Sequence, residues 1–345
     1  MKRCVFALCL ALCLALSGCG GEKRRAGEGL LGEASGLKES SVLLTVDGRE
    51  VEAWQYLYWL AFTCDQLQNR YDSVGLDLEW AAPLESGTMA DYVKDQALAD
   101  AALYAVVENW AEKYGVALSQ EDISALEADW ASAAEAKGGE EAYLALLNNQ
   151  GLSRRRADWL SQVGRLYGKL YDLYCAAESP LSPDPEALAD FAAGQGRMTV
   201  DRLLVPTDGD REAAQAKAAT LFARLNEAPD KAEAFPSLAA EGSDHLGPRT
   251  LLPGDGVLEP ALEEAAASLA PGQCSGILES AEGFSILLRR ETDPESARGD
   301  YFDHLLEEAA KRAVVKTTED YDALDPAEFA RSLAKARDAA RQDEA

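Results

Sequence analysis

Histidine is nearly absent from this 345-residue sequence, which has only His245 and His304. Cysteine is also sparse beyond the first nineteen positions, where Cys64, Cys175 and Cys274 stand far apart. These side chains lack the number and spacing of a zinc site, and no serine has the companion histidine of a recognisable catalytic triad. Three cysteines allow at most one intramolecular disulfide, so buried free thiols are expected. Gly194-Gln-Gly196 and Gly254-Asp-Gly256 lack the strand-glycine-helix context of a nucleotide loop and read as turns. No metal and no cofactor is implied. Positive charge is the other shortage: 33 Lys and Arg against 60 Asp and Glu leave a formal charge of −27. Such a surface repels phosphate backbones and anionic headgroups, which excludes nucleic acid as a ligand and favours plain solubility over an acidic dock for basic clients.

Long apolar runs are missing everywhere except at the start. Lys2 and Arg3 precede an apolar stretch from Val5 to Leu16 that is too short and wrongly flanked to span a bilayer, so residues 1–18 read as a signal peptide. Leu16-Ser17-Gly18-Cys19 resembles a bacterial lipobox, in which the cysteine is acylated; the alternative is an ordinary signal peptide with an incidental cysteine. A diacylated Cys19 would anchor the protein on the extracytoplasmic face of a membrane without a spanning helix. Residues 19–41 are rich in Gly, Glu, Ser, Lys and Arg. They read as a tether that would span about 25 Å as a flexible chain.

Residues 42–180 read as a mainly helical domain. Val42 to Val46 is a short strand ending in an Asp47-Gly48 turn, and Trp54, Leu57, Tyr58 and Ala61 then recur at helical spacing. Further helices are expected over Thr88 to Gly115, after the capping-box-like Ser119-Gln-Glu-Asp122, and after Ser153, separated by Gly138-Gly139. Arg154, Arg155 and Arg156 in a first helical turn oppose the helix dipole; they could contact an acidic segment elsewhere, but a solvated basic spot in an acidic protein is the favoured reading. The tryptophans and tyrosines of these helices are expected to fill a core. Trp59 is set apart because it lies beside the main apolar stripe: either the stripe is wide or an aromatic face is left exposed, and an exposed face could bind unfolded chains.

Ser179-Pro-Leu-Ser-Pro-Asp-Pro185 marks a domain boundary, with Asp184 and Pro185 suited to cap and open the next helix. Residues 197–291 then hold a strand-like Thr199 to Val205, a helical pattern, Phe235-Pro-Ser-Leu-Ala-Ala-Glu-Gly-Ser-Asp244, the helix-like Leu258 to Leu269, and closing strands at Gly272 to Leu278 and Gly283 to Leu288. Residues 300–345 read as two amphipathic helices, Tyr301 to Val315 and Pro326 to Arg341.

The ordered set Leu203-Leu204-Val205, Leu262-Glu263-Glu264-Ala265, Pro271-Gly272-Gln273 with Ser275, and Gly283-Phe284 resembles the parvulin (PpiC-type) family of peptidyl-prolyl isomerases. The strand, turn and helix after Val42 resemble the start of PrsA-type foldase lipoproteins, which carry a SurA/PrsA-like helical chaperone domain. The resemblance implies an α+β fold: a mostly helical domain built from N- and C-terminal segments, into which a small antiparallel-sheet domain is inserted. It also implies an apolar proline pocket beside a polar cluster of two histidines and a cysteine or aspartate. Leu258 and Leu262 fall at the pocket's substrate-binding positions. Arg202 and Ser285 stand where the two histidines would be, and His245 near the third member.

Arg202 brings a permanent cation to a place that otherwise holds a neutral ring. The expected function is that of a membrane-anchored extracytoplasmic folding factor, which binds unfolded secreted chains and X-Pro segments and has a weak or inactive isomerase domain. The alternatives are an active isomerase with Arg202, His245 and Ser285 as an altered cluster, or an envelope scaffold with one fixed partner.

Overall fold

A computed structural model describes residues 28–176, 179–242 and 247–342. In chain order the elements are α1 (Leu30–Ser35), β1 (Val42–Val46), β2 (Arg49–Glu52), α2 (Ala53–Ser73), α3 (Met89–Lys113), α4 (Gln120–Ala136), α5 (Glu140–Asn148) and α6 (Arg154–Cys175). Next come α7 (Pro185–Gly194), β3 (Met198–Pro206), α8 (Arg211–Glu227), α9 (Lys231–Gly242), β4 (Arg249–Leu251), α10 (Pro260–Ser268), β5 (Leu278–Ser280) and β6 (Gly283–Arg290). The chain ends with α11 (Arg298–Arg312), β7 (Val315–Thr317), α12 (Glu319–Asp322) and α13 (Pro326–Gln342). The fold is α+β, mostly helix with two small antiparallel sheets. It divides into two units: residues up to Ser182 together with Phe302 onward, and Pro183–Tyr301.

Local signals set most boundaries of the first unit. Asp47 and Gly48 adopt positive φ (50° and 87°), the geometry that closes a two-residue hairpin between β1 and β2. Glu52 and Gln55 form a capping box at α2, as do Thr88 with Asp91 at α3 and Ser119 with Asp122 at α4. Ser153 caps α6 through the backbone N–H of Arg156.

From Ala53 to Cys64 helix α2 is buried nearly all round, and the helix packs against α1, α3 and α13, whereas its polar last turns from Gln66 onward are mostly exposed. The sheet has the order β2-β1-β7, so its third strand comes from the far end of the chain, with Leu44 opposite Thr317 and Val46 opposite Val315. Thr318 Oγ1 donates to Leu43 O at 2.9 Å, Tyr321 stacks edge-on against Tyr56 at 5.1 Å, and Arg337 forks onto Asp65 at 2.8 and 2.9 Å.

Four expectations change here. Residues 28–41 are not simply tether, since α1 buries Leu31 completely and Glu39 accepts the N–H groups of Gly29 and Gly32. Trp59 is 1% exposed and contacts Tyr58, Phe62 and Tyr104, so it belongs to the core and offers no aromatic surface. The helix expected over Tyr301 to Val315 runs from Arg298 to Arg312, because Val315 enters β7 against β1. The thiols are free, but Cys175 is exposed while Cys64 is buried.

The second unit is organised on the sheet β4-β3-β6-β5. Alternation along β3 and β6 sends Leu203, Val205, Phe284, Ile286 and Leu288 to one face, where α8 and α9 cover them with Leu221, Leu225, Phe235 and Leu238. Met198, Val200 and Leu287 point to the other face, beneath Leu262 and Ala266 of α10 and the preceding Leu258. Burial of both faces of the two central strands matches the apolar runs Leu203 to Val205 and Ile286 to Leu288, while the polar Asp201, Arg202 and Ser285 adjoin those runs. The closing stretch from Gly272 runs beside β6 as an isolated bridge, Cys274 to Leu288, with backbone hydrogen bonds from Gly272 to Arg289 O, Ser275 to Leu287 O and Arg289 to Gln273 O, and the regular strand β5 begins only at Leu278.

Candidate functional site

Strands β3 and β6 pair in antiparallel register, with Arg202 opposite Leu287 and Leu204 opposite Ser285. Arg202 and Ser285 are therefore diagonal neighbours on the face that carries Val200 and Leu287. Arg202 Nε donates to Ser285 Oγ at 3.0 Å, and Nη2 lies 3.5 Å from Ser280 Oγ. Nη1 pairs with Glu282 Oε2 at 2.7 Å. Ser285 is completely buried, whereas Arg202 is half-buried and Glu282 exposed. Each terminal nitrogen of the guanidinium thus has an acceptor, and the two positions that the sequence pairs by resemblance are brought into direct contact.

The tight β5–β6 hairpin builds this arrangement. Gly283 has φ 143°, and a Cβ there would stand 2.2 Å from Val205 O, so no side chain fits where β6 meets the end of β3. Glu279 and Glu282 flank the turn, and each holds an arginine: Glu279 takes Arg211 at 2.7 Å and Glu282 takes Arg202. The Arg211 guanidinium also lies over the Phe284 ring at 5.6 Å. Ionic hydrogen bonding from Arg211 holds the Glu279 carboxyl below the usual carboxylate range. Glu282 and Ser280 were not identified from sequence. A glutamate immediately before the Gly-aromatic pair was the available signal, but its partner becomes legible only with the strand register.

Leu262 is 1% and Leu258 9% exposed, and both pack on the sheet beside Met198, Val200 and Leu287. They share a sheet face with Arg202 and Ser285, and both side chains are buried against it. His245 and Cys19 lie outside the described residues. Trp59, in the first unit, belongs to a separate aromatic core.

Residues 198–291 match a family model described as Rotamase: PPIC-type PPIASE domain, and that stretch belongs to this family. No curated protein matches the chain. Similar solved structures include PrsA from Bacillus subtilis, at 17% identity and TM-score 0.26 over 75% of this chain and 92% of that one. Foldase protein PrsA from Streptococcus pneumoniae aligns at 15% identity and TM-score 0.25 over 77% and 94% of the two chains. A structure from a study of PEB4 and Cj1289, described as SurA-like chaperones of Campylobacter jejuni, aligns at 11% identity and TM-score 0.23 over 81% and 99%. At these TM-scores the family assignment rests on residues 198–291.

Proposed function

We propose that the chain is a lipid-anchored extracytoplasmic folding factor that binds unfolded secreted proteins, and that its PPIC-type domain retains binding but little isomerase activity. The observation that carries this reading is the engagement of Arg202 by Glu282, Ser285 and Ser280. Rotation about an X-Pro bond faces a barrier of about 18–20 kcal/mol from amide resonance, and a catalyst must favour the twisted amide over the planar one. A guanidinium is a fixed cation that does not deprotonate at neutral pH, and each of its three nitrogens here already has an acceptor. Leu258 and Leu262 are seated on the sheet, so a proline ring would have to displace them.

Membrane attachment is assigned to acylation of Cys19, and no helix among the described residues is long and apolar enough to cross a bilayer. Replacing Cys19 with alanine should remove the lipid mass from the mature protein, as read by intact-mass spectrometry.

The decisive experiment is the cis-to-trans rate of X-Pro peptides with residues 20–345, beside the double variant Arg202→His/Ser285→His. The expected result is a wild-type rate matching buffer and a gain in the variant, together with suppressed aggregation of several unrelated unfolded clients. Efficient wild-type catalysis that Leu262→Ala abolishes would overturn the low-activity reading, and failure to suppress aggregation would overturn the chaperone one.

A further inference from the structure

A cleft of about 770 Å³ opens on the first unit, where β2 and the start of α2 face α3 and α6. Trp54 and Trp159 form one of its walls, edge to face with ring centroids 5.3 Å apart. A recess of about 10 Å³ continues from it, sharing Glu50, Gln55, Glu108 and Trp159 and ending at Trp59. Trp59 is almost wholly buried, and its Nε1 has no hydrogen-bond partner.

The charges of this cleft are unevenly committed. Arg49 is held by Asn109 at 2.7 Å and Glu112 at 3.1 Å. Arg154 pairs with Glu127 and Asp158, each at 2.7 Å, and Arg155 lies 3.8 Å from Glu28. Glu52 accepts the indole N–H of Trp54 at 2.6 Å and caps α2. Glu108 accepts only the neutral indole N–H of Trp159, at 3.2 Å, and neither it nor Glu50 forms an ion pair among the described residues. Burial pushes the Glu108 carboxyl up, and the nearby Arg49 offsets only part of that shift. The cleft thus combines two arginines, Arg49 and Arg154, engaged by carboxylates, a largely exposed Arg155 at its edge, two carboxylates outside any ion pair, indole faces and an unsatisfied buried N–H.

From this geometry we infer that the cleft binds the alkylammonium side chain of a lysine in an extended polypeptide. The four-carbon stem lies along Trp54 and Trp159, and the ammonium reaches Glu108 with Glu50 at the rim. The recess is sized for one small oxygen-bearing group, which would accept from Trp59 Nε1. An anionic ligand would meet uncompensated carboxylates, and a purely apolar one would bury Glu108 without a counter-charge. That the lysine belongs to a polypeptide rests on the folding-factor reading; the pocket itself does not.

The test is calorimetric titration of the mature chain at low salt with end-blocked Gly-Lys-Gly and its norleucine counterpart. Lysine peptide should bind at least about tenfold more tightly, and Glu108→Gln should remove that preference. Equal binding of the two peptides would overturn the inference. Should Glu108→Gln fail to fold, the indole N–H resonances of Trp54 and Trp159 in the unmutated chain decide. They should shift with the lysine peptide, and shifts confined to other tryptophans would refute the site. Lysine-selective binding by a protein that does not suppress aggregation would keep this pocket and discard the chaperone reading. Aggregation suppression with no lysine preference would do the reverse.

Discussion

Leu31 occupies the space that a side chain on Gly151 would need: a Cβ at Gly151 would lie 2.4 Å from Leu31 Cγ. Gly151 also has φ 76°, which disfavours an L side chain. Gly151→Ala should therefore combine backbone strain with displacement of a fully buried leucine and destabilise the first unit by about 2–3 kcal/mol. All six tryptophans fall between positions 54 and 159, so their fluorescence follows that unit selectively during urea unfolding. An unchanged midpoint would mean that α1 is not held at Gly151.

Arg156 and Glu39 form a buried ion pair at 2.7 Å, with Arg156 also donating to Gly151 O and lying over the Trp54 ring at 4.9 Å. Removing one partner strands a charge, so Glu39→Ala should cost about 3–5 kcal/mol. Replacing both with uncharged side chains, Arg156→Met and Glu39→Gln, should cost distinctly less than the sum of the single changes. A double-mutant cycle in urea measures this, and simple additivity would show that the two side chains do not act as a pair.

Burial raises the Asp100 carboxyl to about 6, with only a hydrogen bond from Gln96 opposing it. Its folded pKa thus exceeds its unfolded one, so the folded form is penalised progressively as pH rises from about 4 through 6, and the penalty persists above that range. Asp100→Asn should be more stable than wild type by about 1–2 kcal/mol at pH 7 and equal to it near pH 4. Paired denaturation series at the two pH values provide the check; a difference independent of pH would contradict it.

Burial pushes the Cys64 thiol up to about 12, whereas Cys175 is exposed. In native protein at pH 8, iodoacetamide should modify Cys175 well before Cys64, which should react only after urea is added. Peptide mass mapping distinguishes the two sites, and early labelling of Cys64 would contradict the packing around α2.

Features encoded by neighbouring residues were legible in the sequence. The Asp47-Gly48 hairpin, the Ser119 to Asp122 cap and the Asp184-Pro185 helix start each need only a few consecutive side chains, and each forms. Helix α1 was not legible, because Leu30, Leu31 and Ala34 in a six-residue segment with Gly, Glu and Ser are too short a pattern to give a period; it is held by Gly151 and α13, and through Glu39 by Arg156, all distant in sequence. Trp59 was misplaced for a related reason. A helical stripe identifies one buried face, but α2 is covered on several. The basic triplet at 154–156 reads first as a solvated basic spot, and the structure instead pairs Arg154 and Arg156 with acidic side chains distant in sequence. At the candidate site, resemblance located Arg202 and Ser285, while the salt bridge to Glu282 required the β3–β6 register.

Strand β7 has a consequence for the order in which the chain can complete itself. Asp47 and Val314 are hydrogen-bonded across 267 positions, and β1 has β7 as one of its two neighbours. As the chain emerges N-terminus first into the compartment where it folds, β1 must wait with an open strand edge until Val315 to Thr317 have followed. The second sheet, by contrast, draws all four strands from residues 198–290 and can close earlier. A chain truncated before Val315 would carry every strand of the second sheet and lack the third strand of the first. Premature termination in the last thirty or so residues would thus damage the portion made first.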